Sequence, residues 1–340
     1  MVKERIVYLD VVRVVACCMI VLMHSPHPDA RIPGLLLSPL SFVTAAGIGM
    51  FFMVSGALLL PVKLETNVFL KKRLGKIIGP LLFWTLFYIA IGLLTGSIQP
   101  TDLPKSLLSV PFATQGHGVL WFMYTLAGLY LLAPILSPFL EKTSGRELRF
   151  YLLLWAMTLS FPILALFLDV NRSTTGMLYY FTGYAGYFVL GYYLHAYKVR
   201  VKTIFFVAMI IVPLTFLALH RYYSLDGDFF DVFGYLSITV VVMSFAWFLG
   251  IRSLTERLYL VGSKLLTELS NACFGIYLMH IFIMRSILWQ SDLIVHTFGG
   301  IGQIIIISLL TFVICFALTY LISYLPYAEY IVGYRTKTKK

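Results

Sequence analysis

Apolar residues dominate ten stretches of this chain, and polar residues gather between them. The stretches cover residues 8–25, 41–61, 77–95, 119–140, 150–168, 176–197, 203–219, 232–250, 266–288 and 301–325. All ten fall within the roughly 17 to 25 residues that an α-helix needs to cross a bilayer. A segment in hydrocarbon must satisfy its own backbone hydrogen bonds, which a helix does internally. The pattern therefore predicts an all-α, polytopic membrane protein with ten transmembrane helices.

The polar interruptions are of two kinds. Residues 25–40, 96–118 and 220–231 are long and carry Gly, with Pro as well in the first two; both residues stop helices. The alternate ones are short and basic. With the N-terminus inside, the inner segments hold Lys3 and Arg5; Lys63, Lys71, Lys72, Arg73 and Lys76; Lys142, Arg146 and Arg149; Lys198, Arg200 and Lys202; Arg252, Arg257 and Lys264; and Arg335, Lys337, Lys339 and Lys340. The outer segments hold Arg31, Lys105, Arg172 and Arg221. Positive loops stay cytoplasmic, so both termini are expected there. The first run resembles a secretory signal, but Arg13 interrupts it and no small-residue cleavage site follows. It is expected to be retained.

Composition agrees. Of 340 residues, 60% are hydrophobic, against about 45 to 50% in soluble domains. The net charge of +11 is accounted for by loops facing the anionic inner leaflet and calls for no nucleic acid. The four cysteines, Cys17, Cys18, Cys273 and Cys315, all fall within apolar runs and lack metal-ligand spacing, so neither disulfide nor metal is expected. No Walker A motif is present, which argues against an ATP-driven pump. With no linker or repeat, residues 1–340 read as a single integral-membrane domain without an appended soluble one.

Candidate chemistry begins in the first run, which keeps Asp10, Arg13 and His24. At about 100° and 1.5 Å per residue, Arg13 and His24 lie roughly 20° apart in rotation and about 16 Å apart along the axis. Asp10 sits one turn below Arg13. A charge in the membrane costs about 2.5 to 3.5 kcal/mol, so this stripe is expected to face protein or water. A structural ion pair with a polar C-terminal histidine is the competing reading, and spacing leaves both open.

The second run contains Gly47, Gly49, Ser55 and Gly56, which favour close helix packing, with ligand binding by Ser55 as the alternative. Lys71, Lys72, Arg73 and Lys76 lead into the third run; they fit inward-facing topology and also suit a phosphorylated ligand. His117 and Trp121 open the fourth run at the interface, where Trp ordinarily anchors. The ninth holds Tyr277 and His280 on one face, with Arg285 further outward; ionisable groups this deep point to function.

Taken in order, these motifs resemble bacterial acyltransferase family 3, the multispanning membrane O-acyltransferases of surface carbohydrates. The similar segments are "RIVYLDVVRVVACCMIVLMH", "MFFMVSGALLL", "FLKKRLGKIIGP", "LWFMYTLAGLYLLAPIL", "YFVLGYYL" and "FGIYLMH", and they extend over essentially the whole chain. The resemblance implies transfer of an acyl group, usually acetyl, from cytoplasmic acyl-CoA to a carbohydrate hydroxyl at or beyond the outer side. It assigns the catalytic histidine to His24 and its companion arginine to Arg13, and CoA binding to Arg73, Lys72 and Lys76. Two positions depart from the family pattern: Val14 stands where many members have Gly, and Lys76 where the second basic residue is Arg. The compact length points to the single-domain members.

The resulting expectation is a bacterial inner-membrane O-acetyltransferase using acetyl-CoA and no metal. His24 would be the general base, Arg13 would bind donor, and Asp10, Ser55, Trp121, Tyr277, His280 and Arg285 would line the substrate passage. The expected partners are acyl-CoA, a carbohydrate or lipid-linked glycan, and membrane lipid; homo-oligomer formation is left open. The rival reading is a transporter or flippase for a lipid-linked sugar or small solute.

Overall fold

The computed structural model describes residues 5–28, 34–111, 118–164, 168, 176–197, 199, 202, 205–206, 209, 211–215, 217 and 233–336. Among these, every regular element is helical. Nine helices concern us: α1 (Val7–His24), α2 (Gly34–Leu59), α3 (Thr66–Leu94), α4 (Trp121–Lys142), α5 (Gly145–Thr158), α6 (Ala185–Ala196), α7 (Ile238–Arg257), α8 (Lys264–Ile283) and α9 (Gly300–Ile322). Seven of them, all but α5 and α6, are long and apolar enough to cross a membrane.

Seven of the ten expected spans are thus matched by single helices of membrane length. The fifth and sixth are occupied by shorter ones. α5 has 14 residues and gives way after Thr158 to a separate short helix, Phe161–Leu164, that carries Pro162; proline cannot supply the backbone N–H that would continue α5. α6 has 12 residues and starts just after Gly183, whose φ of +103° interrupts any helix from residue 176. Of the seventh, 203–219, eight residues lie outside the described ones.

α2 lies at the centre of the bundle, between α1, α6 and α7. It approaches α6 closely because both carry glycine at the crossing. A Cβ at Gly56 would overlap the Phe188 carbonyl, and one at Gly191 would overlap that of Met53. Gly47 likewise sits against the Ala16 carbonyl of α1 and Gly49 against Tyr187 and Ser244. Packing is therefore the use made of the glycines in the second run.

α1 buries Val12, Ala16 and Ile20, positions one turn apart. It runs alongside α8 in the same direction: Asp10 and Arg13 meet Ser270, Cys17 meets Cys273, and His24 meets His280. α8 starts cleanly because the Ser263 hydroxyl accepts from the Leu266 amide at 3.0 Å. The parallel α1–α8 pair fixes the order in which polar side chains appear along the bundle.

Candidate functional site

At the N-terminal end of the pair, the Asp10 carboxylate is buried and fully engaged. Arg5 Nε lies 2.6 Å from its Oδ2 and Arg5 Nη2 3.1 Å from its Oδ1. The Ser270 hydroxyl donates to Oδ1 at 2.6 Å and accepts from Arg13 Nη1 at 3.0 Å. Arg13 itself is 3.9 Å from the carboxylate. Asp10 therefore pairs most closely with Arg5, and its short hydrogen-bonded link to Arg13 runs through Ser270. Only the geometry reveals Arg5 and Ser270 as members of this group.

Arg13 faces a cavity of about 260 Å³, whose polar lining includes Ser55, Arg73, Lys76, Ser270, Asn271 and Tyr334. Arg73 and Lys76 are three residues apart on α3 and so share a face. Arg73 Nε and the Tyr334 hydroxyl are buried without a hydrogen-bond partner among the described residues. Such orphaned donors are costly in a native fold and suit a ligand rich in acceptors. Lys72, 100° around the helix, is exposed and does not line the cavity. Tyr334 arrives because Gly333, at φ +80°, turns the chain back after the short helix Glu329–Val332.

At the other end of the pair lies a second cavity of about 290 Å³, lined by His24, Trp121, Tyr277 and Arg285, with Ile20, Ile48, Tyr88, Gly118, Val119, Tyr235 and Ile281. His24 Nδ1 is 2.9 Å from the Ile20 carbonyl. A carbonyl can only accept, so Nδ1 carries a proton, and in the neutral imidazole Nε2 keeps its lone pair. The imidazole is thereby held in the tautomer that a base or nucleophile requires. His280 is buried edge-on to it, ring centroids 5.2 Å apart, with its own Nδ1 2.5 Å from the Tyr277 carbonyl and its Nε2 without a partner among the described residues. His280 lines neither cavity. Trp121 stacks on Tyr235 at 5.5 Å and walls the cavity, a role beyond that of an interfacial anchor. His117 lies outside the described residues.

The two cavities share one lining residue, Tyr277. Its hydroxyl donates to the Val119 carbonyl, and its ring packs on Phe122 at 5.2 Å. The structure thus gathers Arg13, Ser55, Arg73 and Lys76 on one side of Tyr277, and His24, Trp121 and Arg285 on the other. Asp10 stands behind the first group and His280 behind the second.

A third cavity, about 420 Å³, adjoins Arg252, Glu256 and Arg257 on α7. There Arg252 is bound to Glu256 at 2.9 Å and to the Leu194 carbonyl at 2.8 Å, so this cation already has protein partners. No group of three or more His, Cys, Asp or Glu side chains that could hold a metal ion occurs among the described residues.

Compared with known proteins, residues 6–325 match the family model described as an acyltransferase domain, acyltransferase family 3. No curated protein and no solved structure matches the chain.

Proposed function

Because this chain belongs to acyltransferase family 3, we propose that it is a multipass O-acyltransferase of the bacterial inner membrane. In this reading it moves an acyl group, acetyl in the first instance, from cytoplasmic acyl-CoA to a hydroxyl of a cell-surface or lipid-linked carbohydrate. The chain crosses the membrane ten times with both termini cytoplasmic, and the Arg13 cavity opens inward.

The observation that carries the reading is the meeting of the two cavities at Tyr277, cations on one side and a correctly tautomerised imidazole on the other. Arg73 and Lys76 bind phosphate oxygens of the donor, with Arg13 further along its path. The cavity of about 260 Å³ is smaller than the roughly 300 to 1,000 Å³ that encloses a whole drug-sized ligand. It accommodates the donor's slender arm, while the nucleotide stays at the mouth near Lys72. The thioester then passes Tyr277 to reach His24.

There, His24 Nε2 takes the proton of the acceptor hydroxyl as its oxygen attacks the thioester carbonyl. The C–S bond breaks as the tetrahedral adduct collapses, and the thiolate leaves with the proton held on the imidazole. Arg13 belongs to donor binding: about 16 Å of helix rise separates it from His24, whereas an oxyanion donor must lie about 2.7 to 3.1 Å from the charge. The same Nε2 lone pair would serve an acetyl-histidine route. An acyl-enzyme trapped with labelled donor alone would identify that route.

A transporter or flippase is less well supported, since the family is one of acyltransferases. The deciding experiment offers radiolabelled acetyl-CoA and candidate glycans to purified protein, alongside a liposome transport assay. Acetylated glycan formed by the wild type supports transfer; substrate movement without consumption of acetyl-CoA, retained in His24→Ala, would support transport instead.

A further inference from the structure

Arg285 occupies a position in the His24 cavity that the acyl-transfer scheme leaves without a role. The regular turns of α8 end at Ile283, and Met284–Leu288 forms a π-helical turn closed by the Trp289 amide donating to the Met284 carbonyl at 2.9 Å. Such wide turns are rare, occur often at functional sites and rotate the side chains they carry out of α-helical register. This one carries Arg285, which lines the cavity with His24.

The guanidinium carbon lies 5.4 Å from the Trp289 ring centroid, and Trp289 stands 5.2 Å from His27. Since α1 and α8 run parallel, with His24 level with His280, Arg285 and Trp289 lie beyond His24 toward the far mouth. No carboxylate among the described residues pairs with Arg285. The ring orients the cation and leaves the five-donor fork open for an oxyanion.

Resting on the acyltransferase reading, we propose that Arg285 binds an anionic group, phosphate or carboxylate, carried by the acceptor, and that the acceptor is an acidic or phosphate-linked glycan. The charge sits outward of the reactive hydroxyl, so Arg285 fixes the orientation in which the glycan presents that hydroxyl to His24.

The test measures binding without donor, so its result is independent of whether transfer occurs. Full-length protein in phosphatidylcholine nanodiscs is titrated calorimetrically with dodecyl glucuronide, with a dodecyl phosphodiester of glucose and with neutral dodecyl glucoside. The wild type should bind at least one charged probe about tenfold more tightly than the neutral one; the better charged probe identifies the source of the anion. Arg285→Gln should abolish that advantage and leave dodecyl glucoside binding unchanged, while Arg285→Lys should keep part of it. Equal or absent binding of charged and neutral probes by the wild type would overturn the proposal, as would an advantage surviving in Arg285→Gln. The charged-probe advantage should persist with phosphatidylglycerol in the nanodiscs; its collapse would assign Arg285 to bulk lipid headgroups and equally overturn the proposal.

Discussion

The hydroxyl of Tyr277 is hydrogen-bonded to the carbonyl of Val119, and this contact stands between the cavity of Arg13 and the cavity of His24. The cations that suit a donor and the imidazole that suits the chemistry thus line two cavities that both border this side chain. In the proposed reaction a thioester travelling between them passes it.

Removing the Tyr277 side chain should uncouple the reaction. Tyr277→Ala joins the cavities and admits water, so acetyl-CoA hydrolysis without acceptor should rise several-fold while transfer falls. Tyr277→Phe keeps the ring as a barrier and loses only the hydrogen bond, so its hydrolysis should stay near the wild-type rate. Thiol release measured with and without glycan distinguishes the two.

Ser270→Ala should act on donor binding. It deletes the hydroxyl that bonds both Asp10 and Arg13, and hydrogen bonds to charged groups contribute about 1.5 to 3 kcal/mol. The acetyl-CoA KM should rise about tenfold or more, with kcat at saturating donor nearly unchanged. A fall confined to kcat would detach Arg13 from donor binding.

The cations of α3 should separate by position. Arg73→Ala, which empties a cavity-lining site, should raise the acetyl-CoA KM about tenfold or more. Lys72→Ala removes an exposed charge, and such charges contribute about 0 to 1 kcal/mol. Steady-state kinetics over a donor series should show the smaller change for Lys72 and a salt dependence that it shares with the wild type.

Gly191→Ala should destabilise the bundle, because its methyl group would meet the Met53 carbonyl of α2. Overpacking costs about 1 to 3 kcal/mol, and rigid backbone leaves little room to yield. Thermal unfolding of the purified protein should show a lowered Tm. A Gly128→Ala control, at a position with open space, should leave the Tm close to that of the wild type.

Much of this arrangement is legible in the sequence because helical geometry is regular. Eleven residues return almost to the same face, so Arg13 and His24 can be placed on one stripe before any coordinates exist. Arg5 is harder to place, since it precedes α1 and wraps back to Asp10 from outside the helical register. Ser270 carries no signal at all: a lone hydroxyl on a distant helix is ordinary in sequence and matters here only because α8 lies parallel to α1. Tyr334 reaches the Arg13 cavity through a left-handed Gly333, which hydropathy does not register. The same blindness explains the shorter α5 and α6, where apolarity continues through Pro162 and Gly183 although the helix does not.

In the proposed reaction the Nε2 lone pair of His24 carries out the transfer, and donor binding is assembled separately across Tyr277. Single-turnover transfer from radiolabelled acetyl-CoA, together with donor affinity, should be measured for wild type and His24→Ala. His24→Ala should lose nearly all transfer with donor affinity essentially unchanged; transfer at the wild-type rate in this variant would remove His24 from the chemistry.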